Sequence, residues 1–133
     1  MNDMINHPPH YAGRYRHEVI EMTSGLINEQ AQAFKYILRC RFKGDELGDL
    51  RKALWYVTYA LNEFIRIPPL NSRKRQLRRE FEDDLREQGE SDLAGIVHEL
   101  GVPDFRSAAV LIAARIAQKE GRITPPELDE EML

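Results

Sequence analysis

One cysteine, Cys40, is the whole thiol content of this 133-residue chain. An internal disulfide framework and a cysteine-built zinc site are therefore excluded, and the composition suits a reducing cytoplasm. No apolar run approaches the ~20 residues that a helical membrane span needs. The opening, MNDMINHPPHY, has neither a basic n-region nor an apolar h-region, so no secretory leader is expected. With a net charge of −3 and a pI of about 5.8, nothing global draws the chain toward nucleic acid. Glycine-rich phosphate cradles are missing too: there is no GxxxxGK loop and no GxGxxG. Neither a GxSxG elbow nor HExxH occurs, and Cys40 has no histidine close by in sequence.

What remains is ordinary globular composition, 42% hydrophobic and 31% charged. No stretch alternates apolar and polar residues between turn signals, whereas helical spacing recurs throughout, so the expected fold is all-α. The spacing predicts helices over 17–26, 28–42, 45–66, 72–88, from 91 to 101, and over 104–120. Asn28 and Ser72 are the expected caps of the second and fourth helices. The Pro68-Pro69 pair divides the chain into an expected N-terminal domain, 1–67, and a helical C-terminal extension, 68–133, with an acidic tail. Residues 1–70 carry 9 Lys+Arg against 8 Asp+Glu, and residues 71–133 carry 10 against 14. The third helix is the expected spine of the core, with Leu47, Leu50, Leu54, Val57, Leu61 and Phe64 as its seam. Its other side holds Lys52, Trp55, Tyr56 and Tyr59, and a helix apolar on two sides is usually enclosed or shared with another subunit. A homo-oligomer is expected on that ground.

Three features could carry chemistry. Lys35, Arg39 and Lys43 stand at i, i+4 and i+8 with Tyr36 beside them. Cations near a helix C-terminus are favoured by the dipole alone, and the same stripe is also suited to phosphate. Glu18 and Glu21, then Glu46 and Asp49, are i, i+3 pairs on two helices. Converging, four such carboxylates hold magnesium; apart, acids in a first turn simply offset the dipole. The run Arg73-Lys74-Arg75-Arg78-Arg79 is followed at once by Glu80, Glu82, Asp83, Asp84 and Glu87, so its charge is largely answered along one solvated helix. His7 and His10 lack a third ligand and read first as anchors of an N-terminal strap.

Asn6-His7-Pro8-Pro9-His10-Tyr11, Phe34-Lys35-Tyr36-Ile37-Leu38-Arg39, Lys43-Gly44-Asp45 and Asp49-Leu50-Arg51-Lys52-Ala53-Leu54-Trp55-Tyr56 stand in this order. Over residues 5 to 66 this resembles a small phage family, SaV-like or nucleotide-kinase-like, with the signature NHPxHY…KYxxR…KGD…DLxKAxWY. The resemblance implies a bacteriophage protein of the infected host's cytoplasm that binds nucleotides. It further implies a nucleoside-monophosphate kinase-like phosphotransferase without a P-loop, assembled as an oligomer. His10, Arg39 and Lys43 would then be catalytic, and His7, Tyr11, Lys35, Tyr36, Lys52, Trp55 and Tyr56 would bind the nucleotide. Phosphoryl transfer needs mainly positioning and positive charge, so a basic helical cleft suffices. Cys40-Arg41-Phe42 departs from the family's smaller residues at that place.

A second resemblance is to the all-α NTP pyrophosphatases, on Glu18-x-x-Glu21 and Glu46-x-x-Asp49. It implies magnesium on those four carboxylates; otherwise no cofactor is expected. A third expectation belongs to another class: a phage protein that sequesters a signalling nucleotide, or engages a host protein through its C-terminal half.

Overall fold

The computed structural model describes residues 13–121, which form six helices and no strand. These are α1 (Val19–Thr23), α2 (Asn28–Arg39), α3 (Glu46–Asn62), α4 (Ser72–Glu87), α5 (Ser91–Gly101) and α6 (Phe105–Lys119). The all-α expectation holds: the fifth helix spans the expected 91–101, and the other five are shorter than expected at one or both ends.

The trims have local causes. Helix α1 is a single turn held by a capping box, in which Glu21 Oε2 accepts the Glu18 N–H at 2.7 Å. Asp45 caps α3 by accepting the Gly48 N–H at 3.0 Å, and a Cβ at position 48 would collide with that carboxylate. The same helix stops at Asn62 rather than running on to Arg66. Phe64 takes a left-handed φ of +52°, and the Ile65 N–H returns to Ala60 O at 2.9 Å, a Schellman closure with phenylalanine where glycine is usual. Two expected caps move by one residue. Asn71 rather than Ser72 caps α4, accepting the Lys74 N–H at 2.8 Å. Asn28 is inside α2, after an Ile27 cap whose side chain makes no hydrogen bond.

Packing is pairwise and continuous: α2 on α3, α3 on α6, α6 on α5, α5 on α4, with α5 also reaching α2 and α1 lying against α2 and α4. Phe34, Ile37, Leu38 and Leu50 from the first half share one core with Leu77, Phe81, Ile96, Leu100 and Ile112 from the second. Pro68-Pro69 therefore follows a helix without separating two cores. Burying each such side chain contributes roughly 1.5–3 kcal/mol, so neither half keeps its stability without the other.

The seam of α3 is rotated from expectation. Leu50 and Val57 are buried, but Ala53, Ala60 and Asp49 complete the inward face, while Phe64 is 91% exposed. Small residues at 53 and 60 let the neighbouring helices approach closely. Leu47, Leu54 and Leu61 are left half-buried at the edge of the core.

Candidate functional site

The outward side of α3 faces the side of α2 that carries Lys35, Tyr36 and Arg39. Tyr36 and Tyr56 stack across the two helices, with ring centroids 6.2 Å apart and planes within 15°. Trp55 meets Tyr56 edge-on at 5.0 Å and stacks on Tyr59 at 5.1 Å. Trp55 is 57% exposed and Tyr59 40%, so the outer end of this aromatic row is open to solvent.

Cations gather on the Tyr36 ring. Lys35 Nζ and the Arg39 guanidinium carbon each lie 4.6 Å from its centroid, and Lys52 Nζ lies 5.4 Å away. A ring so covered acts as a platform that holds cations by its negative faces. That leaves Tyr36 little room to stack on a base, and the accessible stacking surface is Trp55.

One carboxylate answers these charges. Asp49, almost fully buried, accepts from Arg39 Nε at 3.3 Å and Arg39 Nη2 at 3.5 Å. Arg39 and Asp49 thus neutralise one another and fix the guanidinium over Tyr36. Lys35 and Lys52 form no ion pair among the described residues, leaving the face positively charged.

The structure brings together Lys35, Tyr36, Arg39, Lys52, Trp55 and Tyr56. Lys43 does not join them. Helix α2 stops at Arg39, the Phe42 N–H turns back to Arg39 O at 2.9 Å, and Lys43 is exposed in the following turn, off the helical register that its spacing suggested. His7, His10 and Tyr11 lie outside the described residues.

The four carboxylates are not brought to one place. Glu18 and Glu21 serve the capping box of α1. Glu46 Oε2 accepts from Arg115 Nε at 2.8 Å, Lys119 Nζ is 3.5 Å from Glu46 Oε1, and Asp49 belongs to Arg39. Among the described residues no three His, Cys, Asp or Glu side chains gather to hold a metal ion. The magnesium site expected from the pyrophosphatase-like spacing is thus replaced by salt bridges to arginine and lysine. Cys40 is buried, and burial pushes its thiol up to about 12, which makes it inert.

Four of the five cations in the basic run on α4 are held by structural partners, and the fifth, Arg79, is exposed. Arg73 pairs with Glu21 at 3.7 Å, Arg75 Nη1 donates to Leu70 O at 2.6 Å, and Arg78 Nε lies 2.8 Å from Glu82. Lys74 Nζ donates to the Met22 and Ser24 carbonyls at 3.0 and 2.8 Å, and burial lowers its pKa. Tyr59 joins the aromatic row although it is not among the expected site residues; its i+4 spacing from Trp55 signals it. Arg115, which pairs with Glu46 rather than with this row, lies 69 residues along the chain on α6 and carries no local signal.

Residues 5–58 match the model of a family described only as a protein of unknown function, DUF3310. That span contains every member of the Tyr36 cluster and ends within α3, one residue before Tyr59. No curated protein and no solved structure matches the chain. No helix among the described residues is long and apolar enough to cross a membrane.

Proposed function

We propose that the α2–α3 face binds a nucleotide, with its phosphates on Lys35, Lys52 and Arg39 and its base on Trp55. The observation that carries this reading is the ring of three cations on Tyr36, answered by one carboxylate, beside an indole 57% exposed. Cationic heads held against an aromatic platform need little reordering when a phosphate arrives, and an exposed indole offers a base its π-face. The proposed reaction is phosphoryl transfer to a nucleoside monophosphate, for which charge and positioning are the main requirements. Arg39 would orient the transferred group from its fixed position on Asp49.

Phe64, 91% exposed at the end of α3, supports a companion proposal, that copies of the chain associate through this end of the helix. Sedimentation of the intact chain and of Phe64→Ser tests it, and a monomer at every concentration would remove it.

For the function itself, the intact chain is incubated with a panel of nucleoside monophosphates and triphosphates, with and without magnesium. Binding and products are read together. Saturable binding with diphosphate formed from a monophosphate acceptor and a triphosphate donor is the expected result. Binding without product would reduce the reading to sequestration of a nucleotide, and no binding at all would refute it.

A further inference from the structure

A second group of cations lies around Phe42, three residues past the end of α2. The guanidinium carbons of Arg41 and Arg14 lie 4.4 and 5.3 Å from the Phe42 centroid, and Tyr15 meets the same ring edge-on at 6.0 Å. Gln88, just past the end of α4, ties the two arginines together. Its Nε2 donates to Arg14 O at 2.6 Å, and its Oε1 accepts from Arg41 Nη2 at 2.5 Å. Lys43 follows Phe42 in the chain and is exposed. Among the described residues Arg14, Arg41 and Lys43 form no ion pair, and the buried Nε of Arg41 finds no acceptor.

Local neutralisation does not account for this group. Two helix C-termini end here, α2 at Arg39 and α4 at Glu87, and their dipoles together supply about one negative charge. Three cations exceed that. Asp84 and Glu80, on the neighbouring helix α4, are committed to Arg16, at 2.8 and 3.9 Å. The arrangement is a positively charged patch in which the Gln88 amide holds the Arg41 guanidinium and the Arg14 backbone carbonyl, and both guanidinium groups lie over the Phe42 ring.

We infer that Arg14, Arg41 and Lys43 form a second anion subsite around Phe42, one that takes the phosphate chain of a nucleoside triphosphate. In its nucleotide assignment it rests on the proposed reading of the α2–α3 face. Planar guanidinium forks suit phosphate oxygens, and Arg41 and Lys43 follow directly on the helix that carries Lys35 and Arg39.

The test titrates inorganic tripolyphosphate into the isotope-labelled full chain at low ionic strength, following backbone amide signals, with ATP in parallel. Saturable shifts are expected at Arg14, Tyr15, Arg41, Phe42, Lys43 and Gln88 for both ligands. The double variant Arg14→Ala, Lys43→Ala removes two exposed side chains, and its own spectrum reports whether it is folded. It should bind tripolyphosphate about tenfold more weakly or worse. Lys52→Ala should leave these shifts in place. Tripolyphosphate shifts confined to the Tyr36 face, or unchanged affinity in the double variant, would overturn the subsite. Shifts with tripolyphosphate but not with ATP would overturn its nucleotide assignment. If monophosphates fail to bind at Trp55 while tripolyphosphate still saturates at Arg41, the proposed function falls and the anion subsite stands.

Discussion

The two halves of the molecule use their charges in opposite ways. On α4, α5 and α6 most charged side chains have an internal partner, though Arg79, Glu87, Glu99 and Arg106 form no ion pair among the described residues. Arg115, 6% exposed, holds Glu46, Glu90 and Asp92 at 2.7–2.8 Å and so clamps α3, α5 and α6 together. Burial alone would lower its pKa, but the hydrogen bonds it donates to the three carboxylates outweigh that and raise it. On the outward face of α2 and α3, by contrast, Lys35 and Lys52 rest on an aromatic ring and have no acid of their own among the described residues. Charges that stabilise a fold are spent on each other, whereas charges kept for a ligand stay unanswered. The longest basic run in the sequence belongs to the first kind.

Arg115→Met should test the structural side hardest. It leaves three carboxylates without their shared cation, two of them mostly buried, so we expect a loss of about 3–5 kcal/mol in urea unfolding. A loss below about 1 kcal/mol would mean that the clamp is ornamental. The next pair sharpens the contrast. Sequence spacing alone suggests that Arg39→Ala removes binding while leaving the fold intact. Asp49, however, is almost fully buried against Arg39, so that variant should also lose about 2–3 kcal/mol of stability. Lys52→Ala should unfold like the parent yet bind a nucleotide about tenfold more weakly. Equal stability of the two variants would erase the distinction.

Acid should probe the paired half. Asp104 accepts the Ser107 N–H and hydroxyl, and these hydrogen bonds hold its carboxyl below the ordinary aspartate range. Asp92 is also lowered; burial opposes the shift, but the hydrogen bond from Arg115 prevails. Both carboxyls have depressed folded-state values, so the stability they contribute is present above pH ~4 and is lost as pH falls through the lower folded values. Asp104→Ala removes one of these contributions together with a helix cap, costing about 1 kcal/mol at neutral pH, and flattens the acid limb. A parent-like acid profile would argue that Asp104 is a bystander.

The fold was largely legible because capping residues, glycines and the Pro-Pro pair mark the ends of helices within a few residues. The site was legible in part. Lys35, Tyr36, Arg39 and Lys52, Trp55, Tyr56 stand at spacings that place each group on one helix face. That the two faces meet could be seen only in three dimensions. Lys43 was misplaced because helix α2 ends four residues earlier than its position requires. The Glu46 and Asp49 pair fits two readings by spacing alone, metal ligands or acids in a first turn, and its actual partners, Arg115 from far along the chain and Arg39 from α2, carry no signal in the i, i+3 spacing. Phe64 was expected in the seam, where an apolar residue fits the period, but the helix turns left-handed at that residue. In the dilute, unassociated chain Phe64→Gly should therefore raise stability slightly, by about 0.5–1 kcal/mol, because relief of the left-handed strain exceeds glycine's extra chain entropy. At concentrations where copies associate through Phe64, the same variant should instead melt lower than the parent.

The chain's single tryptophan is Trp55, at the open end of the proposed site. Its fluorescence, followed while nucleoside monophosphates are titrated into the intact protein and into Lys52→Ala, reads the central claim directly. Saturable quenching in the parent, shifted to higher concentration in the variant, is the predicted result. Emission that does not respond to any nucleotide, or that responds identically in both proteins, would contradict nucleotide binding on this face.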